Sequence, residues 1–312
     1  MTVKHIITKK LEKINNLNVK ENAKMKNYTT FKVGGTADLL ITPHNKESLS
    51  KALKYIDHAN IPFLALGSGS NIIVSDKGYR GIIIHLEELN NIKISENKVI
   101  AQTGVSLSTL ANKARKAELT GLEFASGIPG SLGGGLFMNA GAYGGEMKDV
   151  VESVLVVNYK GEFERVNSKK LNLSYRNSIL QKKDLIAVEA TIKLKKAKKE
   201  KITAKMKDLN SKRKQKQPLD WPSAGSIFKR PENDYAGRLI EEAGMKGYSI
   251  GDAQVSKKHA GFIINRGKAT AEDIKKLIET VRNKVHEESG IYLEVEPKFI
   301  GEAADKTKKG DN

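Results

Sequence analysis

The chain has 312 residues, no cysteine and a formal net charge of +18, with 39 % hydrophobic and 29 % charged residues. That length allows two domains or three small ones, and the lack of thiols excludes disulfides, thiolate catalysis and thiolate-ligated metals. No apolar run approaches the roughly 18 residues of a membrane span.

The first 19 residues, MTVKHIITKKLEKINNLNV, thread charges through their apolar positions. They do not read as a secretory signal, and a cytoplasmic location follows as the expectation. The basic residues collect in KKLEK, KLKKAKKEK, KRKQK and DKTKKG. No aromatic residues are interleaved there to stack bases, so a solvated surface is expected rather than a nucleic-acid partner.

Residues 3–17 carry Ile6, Ile7, Leu11, Ile14 and Leu17 at helical spacing. A strand is predicted over 37–43, then a helix over 46–60 burying Leu49, Leu53 and Ile56, then a strand from 61 running into a small-residue loop. Loops at the carboxyl ends of strands are where α/β proteins hold ligands. Further strands are expected over 81–86 and 98–104, with a helix around 106–117. Beyond it the pattern turns to β, with strands over 150–159, 162–166 and 185–194 and a turn at Lys160-Gly161. A charged helix over 197–217 ends at Pro218 and Pro222 and reads as the passage into a second domain. That domain is predicted to hold a helix near 234–243 stopped by Gly244, a strand over 260–265, and a helix from Thr270 to about His286. Gly290 follows that helix, and a strand IYLEVEPKFIG closes the fold. Residues 302–312 are expected to be disordered.

Two glycine loops stand out. Gly67-Ser68-Gly69-Ser70-Asn71 follows a strand, and successive N–H groups of small residues make an anion-binding nest. Its spacing is neither G-x-G-x-x-G nor a P-loop, and by itself it is a tight turn or a phosphate site. The segment 126–146, SGIPGSLGGGLFMNAGAYGGE, holds eight glycines among apolar residues. This is backbone expected to lie against something large and flat.

Three further sites carry alternatives. Ser226 in PSAGSIFKRP is a turn serine or a proton donor. Glu296 in LEVEP lies on the wet face of a half-buried strand or at a cleft. Arg176 beside Tyr175 in SYRNS forms a surface ion pair or holds a carboxylate. His259 is a lone histidine, and the six histidines show no metal-ligand spacing, so no metal is expected.

Taken in order, NYTTFKVGG, LGSGSNIIVSD, GLEFASGIPGSLGGGLFMNAGAYG, YRNS, KQPLDWPSAGSIFKRP, VSKKHAGFIIN and LEVEPKFIG resemble the UDP-N-acetylenolpyruvoylglucosamine reductases. These flavoenzymes complete UDP-N-acetylmuramate for peptidoglycan, and hence serve cell-wall biogenesis, cell shape and cell division. The resemblance implies an α+β fold: a two-part FAD-binding domain of the vanillyl-alcohol-oxidase type plus a C-terminal α+β substrate-binding domain. The expected boundaries are 1–90 and 91–196 for the two halves of the first and 197–301 for the second. It further implies non-covalent FAD, because GSGSN has no histidine for covalent attachment, and NADPH as electron donor in a ping-pong sequence. FAD contacts are carried onto Gly67, Ser68, Gly69, Ser70 and Asn71, and onto Gly127, Ile128, Pro129, Gly130, Ser131, Gly133, Gly134, Gly141 and Ala142. Arg176 and Glu296 match the residues at the substrate carboxylate, and Ser226 matches the group that protonates C2. Tyr175, Lys216, Arg230 and His259 fall where the family contacts substrate or its diphosphate. The short stretch after Arg176 places the chain with the form lacking an extra tyrosine-bearing loop. No obligate protein partner is implied. Two other readings are carried: a different oxidoreductase on the same flavin fold, and a basic nucleic-acid-binding protein.

Overall fold

The computed structural model describes residues 3–301. They divide into two compact units. The first comprises residues up to 21 with 39–68 and 81–213, and the second comprises 22–38, 69–80 and 214 onward. The second unit starts one turn before the end of the charged helix and takes in two segments from the N-terminal third. The tail expected to be disordered lies outside the described residues.

In the first unit the strand–helix–strand pattern forms as predicted, with strand Thr36–Pro43, helix Lys46–His58 and strand Phe63–Leu66. Asn45 starts the helix: its side chain accepts from the Ser48 N–H while Ser48 reciprocates, a capping box. Phe63–Leu66 pairs in parallel with Tyr79–His85, placing Leu66 beside His85. Leu49, Leu53 and Ile56 of the helix pack with Leu39, Ile41, Ile82 and Ile84 of the strands. The opening helix, Val3–Glu12, is shorter than its pattern, yet Ile7, Leu11, Ile14 and Leu17 are all buried in this core.

The unit's second core lies over an antiparallel sheet in the order Phe163–Asn167, Val151–Asn158, Leu185–Lys193, Lys98–Gln102, Ile92–Ser95. Helix Leu107–Lys116 covers it with Leu107, Leu110, Ala111 and Ala114, and Ile202 and Met206 of helix Lys199–Lys216 join. Inside the glycine-rich segment a six-residue helix, Leu132–Phe137, forms across three consecutive glycines.

In the second unit strands Ser223–Ser226, Phe262–Asn265, Ala253–Val255 and Ser249–Ile250 form an antiparallel sheet. Helix Ala271–Ser289 buries Ile274, Leu277, Ile278, Val281 and Val285. Thr270 caps its start and left-handed Gly290 its end, as the pattern predicts. Both carboxylate oxygens of Asp76 also accept N–H groups at that start, from Ala271 (3.0 Å) and Glu272 (3.1 Å). An anion there meets unsatisfied donors and the positive end of the helix dipole. The predicted closing strand is shorter than expected: Val295 makes an isolated bridge to Phe228, and Lys298–Ile300 alone pairs, in parallel, with Ile72–Val74. Pro297, which lacks a donor, interrupts the ladder between them.

Candidate functional site

The glycine-rich segment of the first unit is packed more tightly by its own chain than the sequence suggested. A Cβ at Gly133 would lie 3.1 Å from Thr103 Cβ, at Gly135 3.2 Å from Leu107 Cδ2, at Gly141 2.8 Å from Glu146 Cβ, and at Gly145 2.7 Å from the Phe124 ring. A Cβ at Gly127 would lie 2.5 Å from Asn210 Oδ1. Contacts under 3.0 Å with Glu146, the Gly145 carbonyl and Phe124 exclude a side chain at Gly141 and Gly145, while Gly133 and Gly135 are crowded and Gly127 meets only the ends of two side chains. Of the others, Gly134 is exposed, with only the Ser131 hydroxyl nearby at 3.7 Å, and Gly144 opens to free space. The two loops are joined at Gly67, where a Cβ would overlap the Ser131 hydroxyl. Ser131 is buried at the N-cap of Leu132–Phe137, its oxygen accepting from the Gly134 N–H at 3.3 Å.

These features fit an extended dinucleotide. Exposed backbone is presented at Gly134, and Arg213, half-buried, has its Nε without a hydrogen-bond partner. Ile128 packs on the core beneath, while Pro129 is exposed. Gly141 and Ala142 form one strand of a two-residue hairpin with Gly145 and Glu146. Arg176 and Tyr175 lie on a turn closed by Ser174 and Asn177 and fixed to the same segment. Asn139 donates to the Ser174 carbonyl (3.1 Å), Ser178 donates to the Phe137 carbonyl (2.8 Å), and Gln181 donates to the Arg176 carbonyl (3.0 Å). The guanidinium sits over the Tyr175 ring, 5.0 Å from its centroid. Asn139, Tyr143 and Arg176 all take positive φ (43°, 52° and 52°). For tyrosine and arginine this conformation is strained, and such strain concentrates at working sites.

In the second unit Ser226 and Glu296 are brought together. The Glu296 N–H donates to the carbonyl of Ile227 at 2.8 Å, and the Lys229 N–H to the carbonyl of Glu294 at 2.8 Å. Ser226 is exposed, in a strand whose register breaks after Ser223, and Gly225 before it has a φ of +77°. Glu296 is half-buried. Asn71, the last residue of the first glycine loop, reaches the same corner: it donates to the Glu296 carbonyl (3.5 Å) and its own carbonyl accepts from Lys298 (3.0 Å). Within that loop Gly69 is fixed by a φ of +62° and by the Tyr28 carbonyl, which a Cβ would overlap, while Ser68 is exposed and Ser70 half-buried.

His259 belongs to this corner through Gly261, whose carbonyl accepts from Ile227. Its Nδ1 accepts from the Gly261 N–H at 3.1 Å, so Nε2 carries the proton in the neutral ring. Burial holds its pKa below the ordinary histidine value, and the charges of Lys246 and Lys216 act in the same direction. Lys216, exposed, ends the helix Lys199–Lys216. Arg230 stacks on Tyr235 at 4.2 Å and donates from Nε to the Asp234 carbonyl at 3.3 Å. Arg176 belongs to the first unit and Ser226, Glu296, Lys216, Arg230 and His259 to the second.

Sequence reasoning missed Asn139, Gln181, Asp76 and Arg213. The first three act through backbone contacts that no motif marks. Arg213 was folded into the basic patch KRKQK, although it is the member of that patch packed against Gly127. Among the described residues there is no metal-holding group of three or more His, Asp or Glu residues, and no helix long and apolar enough to cross a membrane.

Comparison with known proteins adds independent findings. A family model described as FAD binding domain matches residues 37–167, which include both glycine loops. A second, described as the C-terminal domain of UDP-N-acetylenolpyruvoylglucosamine reductase, matches residues 217–300. The chain is 48 % identical over 300 residues to the UDP-N-acetylenolpyruvoylglucosamine reductase of Clostridium novyi, covering 96 % of this chain and 98 % of the relative. It is 51 % identical over 281 residues to that of Caldanaerobacter subterraneus subsp. tengcongensis, covering 90 % and 93 %. Among solved structures, the UDP-N-acetylenolpyruvylglucosamine reductase of Thermus caldophilus superimposes with a TM-score of 0.78 at 36 % identity, covering 91 % of this chain and 98 % of that one.

Proposed function

The chain belongs to the UDP-N-acetylenolpyruvoylglucosamine reductase family, and from that premise we propose that it reduces the enolpyruvyl group of UDP-N-acetylenolpyruvoylglucosamine with electrons from NADPH. It is an oxidoreductase with an FAD-binding domain, and the product of the proposed reaction is UDP-N-acetylmuramate. The observation that carries the reading is the hydrogen bond from Glu296 to Ile227, the residue after Ser226, in the C-terminal family domain, with Asn71 of the glycine loop bonded to Glu296.

The backbone of Gly67–Asn71 and of Gly127–Gly134 would hold FAD, whose chemistry when bound would be hydride supply for C3 of the enol ether. Negative charge then builds at C2 and its carboxylate. Arg176, a fixed cation on a braced turn, is assigned to that carboxylate, where a preorganised charge stabilises the transition state without reorganising. Glu296 assists there in its protonated form, which requires a water-poor setting. Ser226, exposed on its strand, gives its proton to C2, and a neighbouring group must restore it. Tyr175, Lys216, Arg230 and His259 are assigned to the substrate. His259, neutral with Nε2–H outward from its bond to Gly261, offers a hydrogen bond, and Lys216 offers charge to the diphosphate.

The test is direct. Purified protein carries the visible flavin absorption band, released by acid because the attachment is non-covalent, and anaerobic NADPH bleaches it. A colourless protein that takes up no FAD would refute the reading.

A further inference from the structure

The motif NYTTFKVGG (27–35) takes no part in the proposed chemistry, yet it ties the first glycine loop to the strand of Ser226. It folds as a braced turn. The Thr29 hydroxyl donates to the Val33 carbonyl at 3.2 Å, and Phe31 and Val33 are buried in the core they share with residues beyond 220. The Asn265 side chain donates to the Phe31 carbonyl at 3.1 Å. Gly69 packs on this turn so closely that a Cβ there would lie 3.0 Å from Thr29 Cα and overlap the Tyr28 carbonyl. Thr30 then joins two elements: its N–H donates to the Gly69 carbonyl at 3.1 Å and its hydroxyl to the Ser223 carbonyl at 2.7 Å.

Ser223 opens the strand that carries Ser226, and the pairing slips between them, so that 223–226 oppose only 264–262 on the neighbouring strand. A bulge of this kind re-aims the side chains beside it. The direction of Ser226 therefore depends on how both ends of the bulge are held. The far end is fixed by the Ile227 N–H, which donates to the Gly261 carbonyl at 2.9 Å. The near end is fixed by the Thr30 hydroxyl, next to the ladder bond from the Asn265 N–H to the Pro222 carbonyl. Asn71, two residues beyond Gly69, holds Glu296 from the same loop. Its side chain donates to the Glu296 carbonyl at 3.5 Å, and its carbonyl accepts from the Lys298 N–H at 3.0 Å. That grip spans Pro297, which has no N–H with which to join the ladder.

We propose that Thr30 and Asn71 are positioning residues for the reduction: they fasten the segments of Ser226 and Glu296 to one glycine loop, so that the hydroxyl and the carboxyl group keep a fixed spacing. In this role the Asn71 side chain serves Glu296, whatever its backbone offers to FAD. The proposal rests on the assignment of Ser226 and Glu296 to the reaction.

The experiment uses the FAD-loaded enzyme and measures FAD affinity and, by stopped flow, the two half-reactions. Thr30→Val removes the hydroxyl at nearly constant volume, and Asn71→Ala removes the carboxamide. Each is expected to slow flavin reoxidation by saturating UDP-N-acetylenolpyruvoylglucosamine about 10–100-fold, the cost of misplacing a reacting group. FAD affinity and reduction by NADPH stay at wild-type values, and Thr30→Ser, which keeps the hydroxyl, retains the wild-type rate. On the Ser226→Ala background Thr30→Val causes no further loss, and on the Glu296→Ala background neither does Asn71→Ala. Undiminished losses on those backgrounds, or losses shared by both half-reactions and by FAD affinity, would show general support of the fold and overturn the proposal. Should Thr30→Val not fold, the Asn71 and Glu296 pair decides alone. If Ser226→Ala and Glu296→Ala themselves reoxidise at the wild-type rate, the underlying assignment fails. If they are slow and the Thr30 and Asn71 variants are not, the positioning role alone fails.

Discussion

Gly67→Ala tests the junction of the two loops. Gly67 does not have a positive φ, so alanine is permitted by the backbone and would by itself stabilise by about 0.4–1 kcal/mol through the unfolded chain. The new Cβ, however, overlaps the Ser131 hydroxyl and lies 3.2 Å from Ser131 Cβ. Rotating the hydroxyl away forfeits the cap on the Gly134 N–H, which costs about 1 kcal/mol. Because Ser131 Cβ is also crowded, an off-rotamer side chain or a small backbone shift adds about 0.5–1.5 kcal/mol. The net expectation is destabilisation by about 1 kcal/mol, with weaker FAD retention. Ser131→Gly removes both clashing atoms and by itself costs only about 0.3 kcal/mol, since glycine is tolerated at an N-cap. The double variant is therefore expected to be at least as stable as Ser131→Gly, a coupling of about 2 kcal/mol. Urea unfolding followed by far-ultraviolet circular dichroism, with flavin release measured in parallel, reads all four proteins. Additivity within about 0.5 kcal/mol would refute the claim that Ser131 is what excludes a side chain at position 67.

Ser226→Ala should leave flavin reduction by NADPH intact while substrate turnover falls about 10²–10⁴-fold, the usual weight of a positioned proton donor; stopped-flow measurement of the two half-reactions separates them, and unchanged turnover would remove Ser226 from the chemistry. Glu296→Gln should lose less turnover than Glu296→Ala, because an amide still donates a hydrogen bond; equal losses in steady-state assays would show that the carboxylate acts charged. Burial lowers the pKa of both His85 and His259 below about 6.5, their unfolded value. The unfolded chain therefore binds more protons near that pH. Stability from both groups is complete above about 6.5 and is lost as pH falls below it. Thermal unfolding at pH 7.5 and 5.5 should show this loss, and His259→Gln should reduce it; a flat profile would contradict the assignment.

Much of the fold was legible because it is local. Asn45, Thr270 and Gly290 mark helix ends, and Leu49, Leu53 and Ile56 mark a buried face, all within a turn or two of the residues they organise. What the sequence did not disclose is long-range. Strand Leu17–Lys24 buries only Leu17 and Ala23 and so lacks the alternation that marks a strand. Phe31, Val33 and Ile73 join the core of residues beyond 220, and Asp76 caps a helix that starts nearly two hundred residues later. A helix through Gly133-Gly134-Gly135 runs against propensity. Thr103 and Leu107 crowd Gly133 and Gly135 there, and the Ser131 hydroxyl caps the helix start. Such contacts change the explanation of the glycine density, which serves the protein's own packing most firmly at Gly141 and Gly145. The site was legible as motifs, and the adjacency of Ser226, Glu296 and Asn71 required the fold.

The reductase assignment is tested most directly by mixing photoreduced protein with UDP-N-acetylenolpyruvoylglucosamine in the absence of oxygen. The account predicts that the flavin band returns rapidly and stoichiometrically as UDP-N-acetylmuramate forms. A flavin that stays bleached until oxygen is admitted would contradict it and identify a different oxidoreductase on the same fold.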